Sequence, residues 1–103
     1  MFVVIFRAQP GQQDQQYFDT VMKMRELAFK KYGCLDFIAA TEADQEIAIS
    51  YWPDEASILA WKNDQSHALA QSQGQDKWYQ SYRVEVLELK RRYAYESKNK
   101  AKS

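Results

Sequence analysis

The sequence predicts a small α+β domain in which an antiparallel four-stranded sheet is interrupted by two helical segments, in the order β-α-β-β-α-β. Three observations predict it. The chain has 103 residues, room for one domain and no second. Apolar runs of β-type residues alternate with segments of helical spacing, each closed by Pro, Gly or an Asn-Asp pair. The first run is apolar on both of its faces, so helices packed on one side leave the other to be covered by something else.

Residues 2–8 read as the first strand, closed by Gln9-Pro10-Gly11. A glutamine-rich stretch then opens a helix over about 13–32. Phe18, Val21, Met22, Leu27, Ala28 and Tyr32 recur at three- and four-residue spacing, and Met24 widens the stripe. Asp14 suits the positive end of that helix, Lys30 and Lys31 suit the other, and Gly33 is placed to stop it. Residues 35–41 form the second strand, Glu42-Ala43-Asp44-Gln45 a tight connection, and 46–52 the returning third strand of a hairpin. Pro53-Asp54 ends that strand, and Asp54 can cap a helix carrying Ile58, Leu59 and Trp61. Asn63-Asp64 interrupts this helix, a second piece runs over 65–73, and Gly74 stops it. Trp78-Tyr79 then leads into a long last strand over 82–95. The whole order is that of the ferredoxin-like split βαββαβ arrangement. Residues 1–96 thus read as a single domain, and 97–103 as a polar, frayed tail.

Composition narrows the function. Apolar residues make up 46% of the chain and aromatic ones 15%, enough for a packed core. Fourteen basic residues balance fourteen acidic ones, whereas a nucleic-acid binder needs a basic surplus on one face. The basic cluster Lys90-Arg91-Arg92, with Lys98, Lys100 and Lys102 beyond, reads as a solubilising end. Cys34 is the one cysteine, so an internal disulfide and a cysteine-based metal site are both out of reach. One histidine and no carboxylate cluster at ligand spacing argue against a metal centre. The apolar start, Met1 to Phe6, lacks the basic region of a signal peptide and is too short to span a bilayer. The expectation is a cytoplasmic protein with no membrane partner.

The two-sided first strand predicts a partner. Phe2, Val4 and Phe6 point one way, Val3 and Ile5 the other, and both sets are apolar. A second copy is the economical cover for the spare face, giving a homodimer with sheets packed face to face.

Aromatic and titratable residues concentrate between Tyr51 and Tyr82. The run Ser50-Tyr51-Trp52, then Ala60-Trp61, His67, Ala70-Gln71, Gly74 and Trp78-Tyr79-Gln80-Ser81-Tyr82-Arg83-Val84 resembles the antibiotic biosynthesis monooxygenase family, of the dimeric α+β barrel superfamily. The resemblance spans roughly 51–88 in detail. It implies a cofactor-independent monooxygenase acting on a small electron-rich aromatic, such as a quinol or anthrone. It equally admits a non-catalytic small-molecule-binding or stress-related dimer, because one fold hosts many functions. Haem-degrading members use an Asn near the end of the first strand, a Trp in the second helix and a His about three turns later. The matching positions are Arg7, Trp61 and Gln71, and a Gln offers iron no imidazole, so haem binding is a third and weaker option.

Under the oxygenase reading the catalytic residues are Arg7, Trp61 and His67. Arg7 would hold a substrate anion, His67 or a tyrosine would take the proton, and Trp61 with Trp78 would shape a water-poor pocket. Tyr51, Trp78, Tyr79 and Tyr82 are the substrate-binding residues. Each has a plainer role as well. Arg7, if Val3 and Ile5 face the helices, shares their side and needs a partner such as Asp64 or Glu85. Trp61 has the spacing of a core residue. His67 can cap or pack, Trp78, Tyr79 and Tyr82 can brace the last strand, and Cys34 reads as a small buried hydrophobe.

Overall fold

The computed structural model describes residues 1–64 and 77–98. The order is β1 (Phe2–Pro10), α1 (Gln15–Lys30), β2 (Asp36–Glu42), β3 (Gln45–Trp52), α2 (Glu55–Lys62) and β4 (Tyr79–Glu88). Every strand pairing is antiparallel and the strands lie in the order β2-β3-β1-β4. This is the split βαββαβ arrangement that the spacing predicts, with β1 in the centre. The second helical piece expected over 65–73 lies outside the described residues.

Local chemistry sets the element ends. Asp14, in extended backbone, accepts the Tyr17 N–H at 3.0 Å and so caps α1. At the other end Gly33 adopts φ +77°, and the chain it redirects lets the Cys34 N–H reach the Ala28 carbonyl at 2.9 Å. Asp54 caps α2 by accepting from the Ser57 N–H at 2.8 Å. The hairpin closes on Ala43-Asp44 between the paired Glu42 and Gln45, with Ala43 at φ 54°, a left-handed conformation that costs a non-glycine residue about 1 kcal/mol.

The helices cover the face that carries Phe2, Val4, Phe6 and Ala8. Val4 joins Ala28 of α1, Ile58 of α2, Cys34 and the fully buried Trp52 in one apolar cluster, with Phe2, Tyr32, Phe37 and Trp61 against it. Val3, Ile5 and Arg7 therefore lie on the opposite, open face. The condition that Val3 and Ile5 face the helices, on which Arg7 would share the helix side, is not met. Both sets are apolar, and only the packing of Val4 on Ala28 and Trp52 decides between them.

Two expectations are corrected. The buried stripe of α1 is Tyr17, Met24 and Ala28, whereas Phe18, Val21 and Met22 are exposed by 52, 39 and 71%. The stripe is rotated because α1 must seat Tyr17 against Trp78 and Tyr79. The last strand is also shorter and earlier than 82–95. It ends at Glu88, opposite Phe2, the first residue of β1, and the Leu89 N–H bonds the Met1 carbonyl at 2.9 Å. Tyr93 and Tyr95 lie beyond it, 85 and 86% exposed.

Candidate active site

Chain geometry gathers the aromatic residues into two groups on the helix side of the sheet. The first belongs to the core. The Trp52 and Trp61 rings lie 5.2 Å apart, Phe37 sits 6.4 Å from Trp61, and the Arg25 guanidinium lies over Phe37 at 5.1 Å. Trp61 donates its indole N–H to the Met24 carbonyl of α1 at 3.0 Å, and Trp52 donates to Ser50 Oγ at 2.8 Å. Trp61 thus ties α2 to α1 and takes up the packing role that its spacing allows.

The second group lies where the start of α1 crosses the end of β1 and the beginning of β4. Phe6 of β1 has Tyr79 and Tyr82 at ring separations of 5.3 and 5.7 Å. Tyr17 of α1 stands edge-on to Trp78 at 5.5 Å and to Tyr79 at 5.9 Å. Backbone contacts hold this corner. Gly11 N–H bonds the Trp78 carbonyl at 2.7 Å and Gln12 N–H the Lys77 carbonyl at 3.0 Å. A Cβ at Gly11 would stand 2.6 Å from the Lys77 carbonyl oxygen, so only glycine permits the approach. Lys77 also pairs with Asp14, which holds that carboxyl below its usual range, helped by the Tyr17 backbone N–H.

Inside this corner runs a short polar relay. Tyr79 OH donates to the Tyr17 oxygen at 3.4 Å, and Tyr17 OH donates to Glu46 Oε2 at 2.8 Å. Burial pushes Tyr79 up to about 12. Burial raises Tyr17 further, reinforced by its hydrogen bonds to Tyr79 and Glu46. At neutral pH both are phenols that donate hydrogen bonds, and Glu46 is the acceptor at the end of the relay. Trp78 completes the corner. Its ring is 2% exposed, and its indole N–H has no hydrogen-bond partner among the described residues. A buried N–H left unpaired costs about 1–3 kcal/mol, so this group calls for an acceptor.

The sequence-predicted residues are only partly brought together. Trp78, Tyr79 and Tyr82 share the corner, while Trp61 lies in the neighbouring core group. Arg7 and Tyr51 lie on the opposite face, Tyr51 beside Val3. Arg7 bonds neither Asp64 nor Glu85. Its guanidinium donates to Gln45 Oε1 at 2.9 Å, Asp64 accepts from Tyr32, and Glu85 pairs with Arg83 at 3.5 Å. His67 and Gln71 lie outside the described residues. Among the described residues no cluster of three or more His, Cys, Asp and Glu could hold a metal ion. Nor is any helix among them long and apolar enough to cross a membrane. Tyr17 and Glu46 escaped the sequence reading, although Tyr17 stands seven residues before Met24 and eleven before Ala28, in line with the buried stripe.

The comparisons agree with this fold. No family model matches the chain. YqjZ of Bacillus subtilis is 31% identical over 96 residues, which cover 92% of this chain and 84% of YqjZ. The jasmonate monooxygenase ABM of Pyricularia oryzae is 30% identical over 91 residues, 84% of this chain but 42% of that protein, so the chain spans less than half of it. The crystal structure of SnoaB, a cofactor-independent oxygenase from Streptomyces nogalater, superposes with a TM-score of 0.73 at 7% identity, covering 88% of this chain and 94% of SnoaB. By sequence the chain belongs with YqjZ, and its split βαββαβ sheet is the fold of SnoaB.

Proposed function

We propose that the protein is a cofactor-independent monooxygenase acting on a small electron-rich aromatic, a quinol or anthrone-like compound, at the Phe6–Tyr17–Trp78–Tyr79–Tyr82 corner. The observation that carries this reading is the buried Trp78 N–H, without a partner among the described residues, set beside a phenol–phenol–carboxylate relay. Direct reaction of an aromatic with oxygen requires the substrate to become an anion that can give up an electron. An indole N–H held in a buried site stabilises the developing phenolate or enolate oxygen more than water would, because it is already oriented. Glu46, reached through Tyr17, is the proton acceptor, and Tyr79 and Tyr17 pass the proton as neutral donors. The rings of Phe6, Tyr79 and Tyr82 give the substrate an apolar wall. The activities of the jasmonate monooxygenase and of SnoaB support the same class of reaction.

The protein works as a homodimer in this reading. The open face carries Val3 and Ile5 beside Ile49 and Tyr51, with Ile38 and Leu87 exposed by 59 and 44%. These residues form a continuous apolar surface across all four strands, and a second copy of the same face is the complementary cover.

Anaerobic titration with 1,4-naphthohydroquinone, followed by tryptophan fluorescence, tests the site. Saturable quenching in the wild type, weakened about tenfold or more in Trp78→Phe, supports it, since a hydrogen bond to a charged group contributes about 1.5–3 kcal/mol. Admitting oxygen must then consume the bound compound. Equal binding by wild type and Trp78→Phe removes Trp78 from the site.

A further inference from the structure

We infer that the open face of the sheet holds a second binding site, for a small oxyanion (a phosphate or carboxylate), in the hollow between Arg7 and Arg83. These arginines are direct cross-strand partners on β1 and β4, so their side chains leave the same face side by side. Like charges placed directly opposite each other destabilise a sheet unless something negative lies between them. The protein supplies little. Arg7 donates to the neutral amide oxygen of Gln45. Among the described residues Arg83 has only Glu85 at 3.5 Å, with both side chains more than half exposed, a pairing of small worth. Asp44, the one carboxylate lining the hollow among the described residues, already accepts from Gln9 at 3.3 Å.

The hollow fits the class of ligand. It measures about 280 Å3 and is lined by Arg7, Gln9, Asp44, Gln45, Ser81 and Arg83 beside the Ala8 backbone. That is just below the span of roughly 300–1,000 Å3 usual for larger organic ligands. Two guanidinium forks, two amides and a hydroxyl supply donors for several oxygens at once, the pattern that selects a phosphate or carboxylate over a simple halide. The hollow sits at the hairpin end of the open face, beyond the rows of Val3, Ile5, Ile49 and Tyr51, and on the opposite side of the sheet from Trp78. It is therefore independent of the oxygenase site.

Two-dimensional NMR titration of the intact protein with inorganic phosphate and, separately, with succinate tests this, at ionic strength held constant with sodium chloride. The expected result is saturating shifts at the amides of residues 7–9, 44–45 and 81–83, with Kd on the order of 1 mM or below. The two probes distinguish a phosphate site from a carboxylate site. Arg83→Gln, whose exposed side chain leaves folding untouched, must weaken binding at least tenfold, Arg7→Gln must do the same, and the control Lys23→Gln must leave it unchanged. Shifts that rise without saturation overturn the inference, as do equal shifts in Arg83→Gln. So does an Arg83→Gln variant that turns a dimer into a monomer in sedimentation while neither anion binds the wild type, for the pair then serves an interface.

Discussion

Replacing Tyr17 by Phe isolates the relay from the packing around it. The ring keeps its edge contacts with Phe18, Trp78 and Tyr79, at 5.1, 5.5 and 5.9 Å, so no cavity opens. What is lost is the 2.8 Å bond to the Glu46 carboxylate and the acceptor for Tyr79. A hydrogen bond to a charged group is worth about 1.5–3 kcal/mol. Glu46 is half-buried and can recover water, which places the loss at the lower end, and the 3.4 Å Tyr79 bond is too long to add much. Tyr17→Phe is therefore expected to cost about 1.5 kcal/mol, seen as a midpoint drop of roughly 6–12 °C for a domain this size. Urea melts of Tyr17→Phe, Glu46→Gln and the double variant measure it directly. Their cycle must give a coupling of about 1 kcal/mol. A Tyr17→Phe variant within about 0.3 kcal/mol of wild type, or a coupling near zero, refutes the claim that this bond stabilises the corner.

Three further outcomes follow from the same geometry. Gly11→Ala forces a Cβ to within 2.6 Å of the Lys77 carbonyl oxygen and must disturb the Trp78 corner, whereas Gly33→Ala meets no atom and costs only the backbone strain of φ +77°, about 1 kcal/mol; near-ultraviolet circular dichroism should change only for Gly11→Ala. Burial raises Tyr79 from 10.0 to about 12 and Tyr17 in the same direction, so the folded state holds these protons after the unfolded chain releases them. Stability is full below pH 10 and falls as the pH rises from 10 through 12; Tyr79→Phe should flatten that limb in pH-dependent urea melts. Burial also raises the Cys34 thiol, which is 7% exposed and lies 3.2 Å from the Asp36 carbonyl, so Ellman's reagent should react slowly at pH 7 and quickly only in denaturant.

The sequence makes the element order legible because its punctuation is strong. Pro10-Gly11, Gly33 and Pro53-Asp54 stand at real boundaries, and the Asp14 and Asp54 caps do what their position suggests. What stays hidden depends on partners distant in sequence. β-type residues continue to Tyr95, yet a strand ends where its neighbour ends, and β1 ends at Phe2. Which face of β1 meets the helices cannot be read from Phe2-Val3-Val4-Ile5-Phe6, because both alternating sets are apolar. Arg7 would share the helix side only if Val3 and Ile5 did, and the packing of Val4 puts all three on the opposite face. Trp78, Tyr79 and Tyr82 could be picked out as a dense aromatic run. Their partners Tyr17 and Glu46 are 62 and 33 residues away from Tyr79, so nothing local ties them to that run, although Tyr17 lies in line with Met24 and Ala28.

Oxygen consumption by the purified, metal-free protein, offered a panel of hydroquinones, anthrones and naphthols, is the most direct test of a cofactor-independent oxygenase at the Trp78 corner. Uptake above the protein-free rate is expected with at least one of these compounds. It should fall at least tenfold in Trp78→Phe and in Glu46→Gln, and persist in Arg7→Gln, which alters only the opposite face. Uptake that survives both corner substitutions, or that disappears with Arg7→Gln alone, places the chemistry elsewhere. A trace that stays at the protein-free rate across the whole panel contradicts the oxygenase itself.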